Sequence, residues 1–327
     1  MSRRDIIAIG GSHGSVEAVK RLCRQLPADL GAALLIVIHV GARGNDLLAE
    51  IFAEGSSIGV STAREGDPLR RGHAYVAPAD HHLLVIGDVV RLGRGPRENM
   101  ARPAVDPLLR SVGAACGPRA IGVVLSGMLN DGASGLADLK RCGGLTVVQN
   151  PREALAPGMP REALRNSAID YRTPLADLPA LLVELTSQVA GPSVEIPADI
   201  QTEIEIALGT ARSAILPESV SRVTALTCPS CGGVLSQMIR EPPLRFRCQV
   251  GHTFTAEVLA GQKEGALDEA ARVALRIMQE RVLLTEKMAE EARRSGRTAA
   301  ASSYEKWLEE SRAYAATLRQ ALSDKKL

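Results

Sequence analysis

Ser12, His39 and Asp131 are residue types that together can cleave an ester or amide, and each stands where a short apolar run gives way to polar residues. The runs are Ile6-Ile7-Ala8-Ile9-Gly10-Gly11-Ser12, Leu34-Leu35-Ile36-Val37-Ile38-His39 and, in the third, Ile121-Gly122-Val123-Val124-Leu125 followed by Ser126-Gly127-Met128-Leu129-Asn130-Asp131. A serine hydroxyl becomes a useful nucleophile only when a neighbouring base takes its proton, and an imidazole oriented by a carboxylate is such a base. The expected arrangement has Asp131 accepting the Nδ1 proton of His39, which leaves Nε2 free for the Ser12 proton. A second group, Cys228, Cys231, Cys248 and His252, has the spacing C-x2-C followed, after 16 residues, by C-x3-H. Three soft thiolates and one imidazole complete the tetrahedron that structural zinc prefers and leave no open position for catalysis.

Each residue also has a plainer reading. Gly10-Gly11-Ser12-His13-Gly14 satisfies G-x-S-x-G between an expected strand and helix, yet a glycine-rich turn at a helix N-terminus can simply cradle a phosphate. His39 could be structural. Among the other histidines, His13 adjoins Ser12, while His73, His81 and His82 border a strand and its turn, with a solvated hairpin tip expected for His81 and His82 after Asp80. Asn130-Asp131-Gly132 is ordinary turn and helix-cap chemistry taken alone. What raises all three above their local readings is convergence, because groups just past the carboxyl ends of parallel strands share one crevice.

The elements that must bring them together follow from periodicity. Apolar runs at 73–77, 82–86, 121–125 and 145–149 read as strands, and amphipathic stretches at 15–26, 47–52, 106–115 and 134–142 read as helices. Strands apolar on both faces and alternating with helices predict a doubly wound α/β domain with a mainly parallel sheet over residues 1–186. Cys23, Cys116 and Cys142 fall inside predicted helices as core fillers. With 39 basic and 37 acidic residues the formal net charge is +2, so bulk attraction to nucleic acid or to an anionic membrane is not expected. The apolar run before Gly10 is too short for a signal peptide, and no later run approaches a membrane span; a cytoplasmic protein is expected.

Six ordered blocks resemble the catalytic domain of the chemotaxis protein-glutamate methylesterases (CheB type). They are Ile9-Gly10-Gly11-Ser12-His13-Gly14, the strand ending in His39, Gly72-His73-Ala74-Tyr75-Val76-Ala77-Pro78 with His82, Arg102-Pro103-Ala104-Val105-Asp106, residues 125–135 around Asp131, and Pro157-Gly158-Met159-Pro160. The resemblance implies Ser12 as nucleophile, His39 as general base and acid, Asp131 as the orienting carboxylate, and backbone N–H groups near His13 and Met128 as oxyanion support, with no cofactor for catalysis. It further implies removal of methyl groups from glutamyl esters of chemoreceptor-type proteins, with release of methanol, and in some members deamidation of glutamines. The partner would be a methylated receptor or related signalling protein, and any link to a membrane would run through that receptor. Two departures stand out. Ser15 replaces a glycine usual in the family, and Val40-Gly41-Ala42-Arg43-Gly44-Asn45-Asp46 replaces the usual residues after His39. No counterpart of the family's receiver domain precedes residue 6, so control by phosphorylation within this chain is not expected.

Residues 187–222 read as a linker with a short helix over 199–209, residues 223–258 as a zinc-ribbon-like module, and residues 262–327 as a helical hairpin broken at Ser295-Gly296. In the ribbon, 234–239 and 244–247 can pair as strands and Phe254 can cap a small core, with structural zinc supplying folding free energy. In the hairpin, Leu267, Ala271, Leu275, Met278 and Val282 are expected to face Tyr304, Leu308, Ser311, Ala315, Leu318 and Leu322. This C-terminal part could dock a regulatory partner. The competing functional classes are a non-catalytic signalling scaffold and a phosphate- or nucleotide-binding α/β protein.

Overall fold

Two strands, β1 (Ile6–Gly11) and β2 (Ala33–Ile38), are buried along their whole length and pair in parallel, Ile6 with Ala33 through Gly11 with Ile38. Complete burial on both faces explains their unbroken apolar sequence. The molecule is described here from a computed structural model that covers residues 2–39, 47–211, 220–239 and 243–323. It divides into two units, one ending at Leu259 and one beginning at Ala260.

Helix α1 (Ser15–Gln25) joins β1 to β2, and α2 (Leu48–Ala53) precedes β3 (Gly59–Thr62) and β4 (His73–Val76). An antiparallel hairpin, β5 (His82–Ile86) and β6 (Val89–Gly93), comes before α3 (Val105–Cys116), β7 (Ala120–Val124), α4 (Ala133–Arg141) and β8 (Leu145–Gln149). Helix α5 (Gly158–Asn166), β9 (Tyr171–Thr173) and α6 (Leu178–Ser187) complete the α/β layer. Seven strands form one parallel sheet in the order β3-β4-β2-β1-β7-β8-β9. Ile7 and Ile9 point to one core with α1, α2 and α6, while Ile6 and Ala8 point to the other with α3, α4 and α5. The chain moves one way from β1 to β2 and the opposite way from β7 to β8, which puts the topological switch between the neighbouring β1 and β7. Such a switch opens a crevice at the carboxyl edge.

The doubly wound parallel sheet matches the expectation, with two differences. Strand β5 leaves the parallel sheet to pair with β6, and His82, expected at a solvated tip, is fully buried. Its Nε2 lies 3.0 Å from the Pro96 carbonyl and its Nδ1 accepts the Ala104 N–H at 3.4 Å, so the ring stays neutral and fills the space under the loop leading to α3. Cys23, Cys116 and Cys142 are buried core residues, and burial pushes their thiols up to about 11, 12 and 11.

Helix α7 (Ala198–Leu208), expected within a linker, packs on the α/β layer through Ile200, Ile204 and Cys142 and through Asp199, which accepts two bonds from Arg141 at 2.7 Å each. A four-stranded antiparallel sheet follows, β10 (Ser221–Thr227), β11 (Val234–Met238), β12 (Arg245–Cys248) and β13 (Thr253–Thr255). Leu235, Phe246, Phe254, Val258 and Leu259 form its core. Sequence periodicity suggests only its two middle strands.

A buried ion cluster fastens α7 and the small sheet to the α/β layer. Arg110 of α3 lies 2.9 Å from Asp138, 3.2 Å from Glu98 and 3.5 Å from Glu203, while Arg247 and Arg245 of β12 also reach Glu203. Burial raises the Glu203 carboxyl, but Arg247, Arg110 and Arg245 overcome that and hold it at about 2. Its contribution is therefore complete at neutral pH and is lost as pH falls from the unfolded value of about 4 toward 2. Arg110→Met should destabilise the unit by about 3–5 kcal/mol, because Glu98 and Asp138 remain buried without their cation. A urea midpoint shifted by less than the equivalent of about 1 kcal/mol would show that the cluster is not what holds these elements.

Helix α8 (Ala256–Arg294) begins directly after β13, and its stretch from Ala260 pairs with α9 (Thr298–Ser323) in the second unit. The turn lies at Ser295-Gly296, where Gly296 has φ 70°. Ala289, Ala292, Ala301, Leu308, Ser311 and Ala315 form the seam, with Arg312 donating to Glu286 at 2.8 Å across it. Leu267, expected on that seam, is instead 62% exposed. No described helix is long and apolar enough to cross a membrane.

Candidate active site

Ser12 follows the last residue of β1, and the β1–β2 register continues so that the His39 N–H donates to the Gly11 carbonyl at 3.2 Å. Residues 12 and 39 are thus neighbours on adjacent strands, about 5 Å apart at the backbone. On the other side the loop after β7 supplies Ser126, whose carbonyl accepts both the Ser12 N–H at 2.9 Å and the Ser15 hydroxyl at 2.5 Å. The serine that replaces the expected glycine at position 15 therefore ties the first turn of α1 to that loop. Ser126 Oγ donates to the His13 carbonyl at 2.8 Å and accepts the Ala156 N–H at 2.9 Å. Gly14 turns the chain into α1 at φ 82°, and a Cβ there would meet Leu155 at 2.8 Å and Ser126 Oγ at 3.0 Å. Only glycine combines that backbone with that close approach.

His39 meets Asp131 through Nε2, at 2.6 Å from Oδ2. This reverses the expected use of the two ring nitrogens. Nε2 therefore holds the carboxylate and Nδ1 is the ring nitrogen left over; among the described residues no hydrogen bond joins it to the Ser12 hydroxyl. Asp131 is buried and receives a dense set of donors: Val105 N–H at 2.7 Å on Oδ2, and Asp106 N–H at 3.1 Å, Gly132 N–H at 3.0 Å and the Asn99 amide at 3.3 Å on Oδ1. Two of these N–H groups open α3, so the positive end of that helix faces the carboxylate. Burial pushes the Asp131 carboxyl up, yet the His39 contact and the α3 N–H groups outweigh it and hold it at about 2. The adjacent Asp106 carboxyl is driven well above the usual range by burial and by the charge of Asp131. The two buried carboxyls are driven in opposite directions, Asp131 down and Asp106 up.

Of the N–H groups named from sequence, that of His13 lies in the turn after β1 and that of Met128 in the loop after β7. The Gly127 N–H is already bonded to the Ala156 carbonyl at 2.8 Å, whereas the N–H groups of His13 and Met128 donate to no other described residue. Leu129 has φ 62°, an unfavourable left-handed backbone for a leucine, directly beside these groups. A Cβ on Gly127 would meet Met159 Sδ at 2.0 Å and Ser12 Cβ at 3.0 Å, so the loop closes tightly on the serine. Met128 and Leu155 are 66% and 73% exposed, an apolar rim next to Ser12. The segment 40–46, singled out as a departure from the family, lies outside the described residues.

In the small sheet, the donor atoms of Cys228, Cys231, Cys248 and His252 all lie within 4.8 Å of one another. Cys231 and Cys248 sulfurs are 3.7 Å apart, and His252 Nδ1 lies 3.8 Å from Cys228 Sγ and 3.4 Å from Cys248 Sγ. A tetrahedral zinc with ordinary Zn–S and Zn–N lengths requires S···S near ~3.8 Å and S···N near ~3.5 Å. The four residues fit the ion.

Sequence reading assigned no role to Asn99, Asp106 or Asn130, although all three surround Asp131. Asp106 lay in a motif block, two residues past a proline-bound extended segment and in the first turn of α3. Asn99 carried no local signal, because its partners are 7 to 156 residues away.

The Ser12 hydroxyl, the His39 imidazole and the buried Asp131 carboxylate all lie past the carboxyl ends of strands of one parallel sheet, and the imidazole and carboxylate are in contact. The family model described as CheB methylesterase matches residues 7–182, and the chain belongs to that family. Among its relatives, protein-glutamate methylesterase/protein-glutamine glutaminase of Pyrococcus horikoshii is 33% identical over 192 residues, covering 58% of this chain and 52% of that protein. The proteins of that name from Hydrogenovibrio crunogenus and Yersinia pestis are 37% identical over 184 residues and 39% over 174, covering 55% and 52% of this chain and 49% and 50% of theirs. The crystal structure of the Thermotoga maritima CheB methylesterase catalytic domain superposes with a TM-score of 0.53 at 28% identity, covering 57% of this chain and 99% of that one. The chain spans about half the length of the curated relatives it matches.

Proposed function

We propose that this protein is a serine hydrolase that removes methyl groups from glutamyl methyl esters of chemoreceptor-type proteins and also deamidates their glutamines. The observation that carries the reading is the 2.6 Å bond from His39 to a buried Asp131, with His39 beside Ser12 at the switch point of the sheet. Ser12 Oγ attacks the ester carbonyl carbon while His39 Nδ1 takes its proton, and the oxyanion is held by the N–H groups of His13 and Met128. The imidazolium, stabilised by Asp131, returns the proton to the methoxy oxygen as the C–O bond breaks, releasing methanol. Water then attacks the acyl-serine with His39 again as base, giving glutamate and free Ser12. A glutamine side chain follows the same course with ammonia as the leaving group. The apolar rim of Met128 and Leu155 suits the face of a receptor helix that presents the ester.

The test is methanol release from a methylated receptor fragment, in parallel with labelling by a serine-directed phosphonate. Stoichiometric labelling at Ser12 with methanol release supports the reading; absence of both refutes it.

Cys228, Cys231, Cys248 and His252 are proposed to bind one structural zinc, because their spacing and mutual distances suit it. Metal analysis should return about one zinc per chain, and Cys248→Ser should lose it; a protein purified without chelators that holds no metal would rule the site out. The hairpin of α8 and α9 is proposed as the docking part for a regulatory partner, supported by exposed Ile277, Leu284, Trp307 and Tyr314. Ile277→Glu with Leu284→Glu should leave methanol release from a short peptide unchanged and alter release only in the presence of the intact signalling complex.

A further inference from the structure

We propose that Asn99 is a positioning residue for Asp131 whose orientation is set by the cysteine-rich ribbon, so that metal binding at the ribbon governs the hydrolytic site. The inference rests on the hydrolase and zinc readings above, and its test separates it from them.

Asn99 is 9% exposed, and its side-chain amide is used on both sides. The NH2 group donates to Asp106 Oδ2 at 3.0 Å and to Asp131 Oδ1 at 3.3 Å. Its carbonyl oxygen accepts the Thr255 N–H of β13 at 3.1 Å. A backbone N–H can face only the oxygen of an amide, so Thr255 decides which way the amide points. Turned over, it would present its oxygen to two carboxyl groups. The ribbon strand thereby forces a donor toward the acid that holds His39.

The main chain repeats the tie. Asn99 N–H donates to the Thr253 carbonyl at 2.8 Å and Thr253 N–H donates to the Arg97 carbonyl at 3.3 Å, which adds segment 97–99 to the free edge of β13. Asn99 and Met100 hold left-handed backbones, φ 50° and 68°, that a free loop would relax. One residue before Asp131, the Asn130 amide donates to Glu257 at 2.7 Å, in the first turn of α8. Both attachments lie within five residues of the ligand His252, and β13 pairs with β12, which ends in the ligand Cys248. Loss of the ion frees the turn between Cys248 and His252 and so loosens β13, which follows it. Asn99 then loses the partner that orients it, and Asp131 loses a donor without any change in the α/β layer itself.

The test uses the full-length protein with zinc, the protein depleted of zinc by a chelator, and the Asn99→Ala variant in both states. Metal content and melting temperature are measured for each. Asn99→Ala should lower kcat by about 10- to 100-fold with KM within about twofold, and should shift the acid limb of the pH profile. Zinc depletion of the parent should reproduce that loss. Depletion of Asn99→Ala should add less than about twofold, since one connection cannot be broken twice. The imidazole N–H resonance of the His39–Asp131 contact, read by NMR without turnover, should move alike in the variant and in the depleted parent.

Equal activity, pH profile and resonance in Asn99→Ala and parent would overturn the proposal. So would a depletion loss as large in the variant as in the parent, which would make the metal's effect independent of Asn99. If the parent releases no methanol, the hydrolase reading has failed and the resonance alone decides this one. If no zinc is bound, the coupling to the metal is overturned together with the metal reading, and the kinetics and resonance of Asn99→Ala report only on the contact between Asn99 and Asp131.

Discussion

Ser12→Ala should fold and melt like the parent, yet release methanol slower by on the order of 10⁴-fold or more. The Ser12 side chain needs only its Cβ to pack against Gly127, and alanine keeps that atom. What disappears is the oxygen that forms the acyl bond. The oxyanion donors remain, so a residual acceleration over water persists while the covalent route is closed. Phosphonate labelling should vanish together with turnover. A variant that retains more than about a tenth of the parental rate would mean that water, or another nucleophile, attacks the ester directly.

Asp131→Asn should cost turnover about 10³- to 10⁴-fold and also cost stability, for separate reasons. Both oxygens of Asp131 are surrounded by donors, with Val105 N–H and His39 Nε2 on one and Asp106 N–H, Gly132 N–H and the Asn99 amide on the other. An asparagine must place its NH2 group against one of those sets, and a donor then faces donors. With the NH2 group toward His39, Nε2 must accept and Nδ1 must carry the proton, which blocks it as the base for Ser12. With the NH2 group toward α3, the helix N–H groups lose their acceptor at a cost of about 1–3 kcal/mol.

The pH dependence follows from the low pKa. Asp131 is held at about 2, below its unfolded value near ~3.9, so it stabilises the fold by about 2–3 kcal/mol above pH ~4. That contribution is lost as pH falls from about 4 toward 2. Melting curves of parent and Asp131→Asn should therefore differ most at neutral pH and converge below pH ~4. A gap that stays constant down to pH ~2 would show that the carboxylate charge is not what the N–H groups stabilise.

The candidate site was legible in sequence to the extent that its parts are local. G-x-S-x-G between an apolar run and an amphipathic run marks a strand–turn–helix unit, and Ser12 stands at that turn with Gly14 in the left-handed region. C-x2-C with C-x3-H is similarly local, because each pair spans one tight turn. His82 was misread for the same reason: its neighbours Asp80 and His81 are turn-like, while its burial comes from Pro96 and Ala104 on a later loop. The hairpin of β5 and β6 was read only in part, since period-2 alternation does not state a strand's direction or its partner. Asn99 was invisible because an asparagine before a loop methionine is unremarkable until β13 closes against it.

The order of apolar and polar residues by itself determined a parallel α/β layer and marked Ser12, His39, Asp131, Cys228, Cys231, Cys248 and His252 as candidates, because side-chain periodicity and turn chemistry are properties of neighbours in the chain. Only the tertiary structure decided which nitrogen of His39 meets Asp131, that two buried carboxyls stand side by side there, and that a strand of the cysteine-rich module reaches the acid through Asn99. Those outcomes depend on burial and on donors drawn from α3, β13 and the loop before it. The distances that set them arise only when residues far apart in sequence are packed against one another.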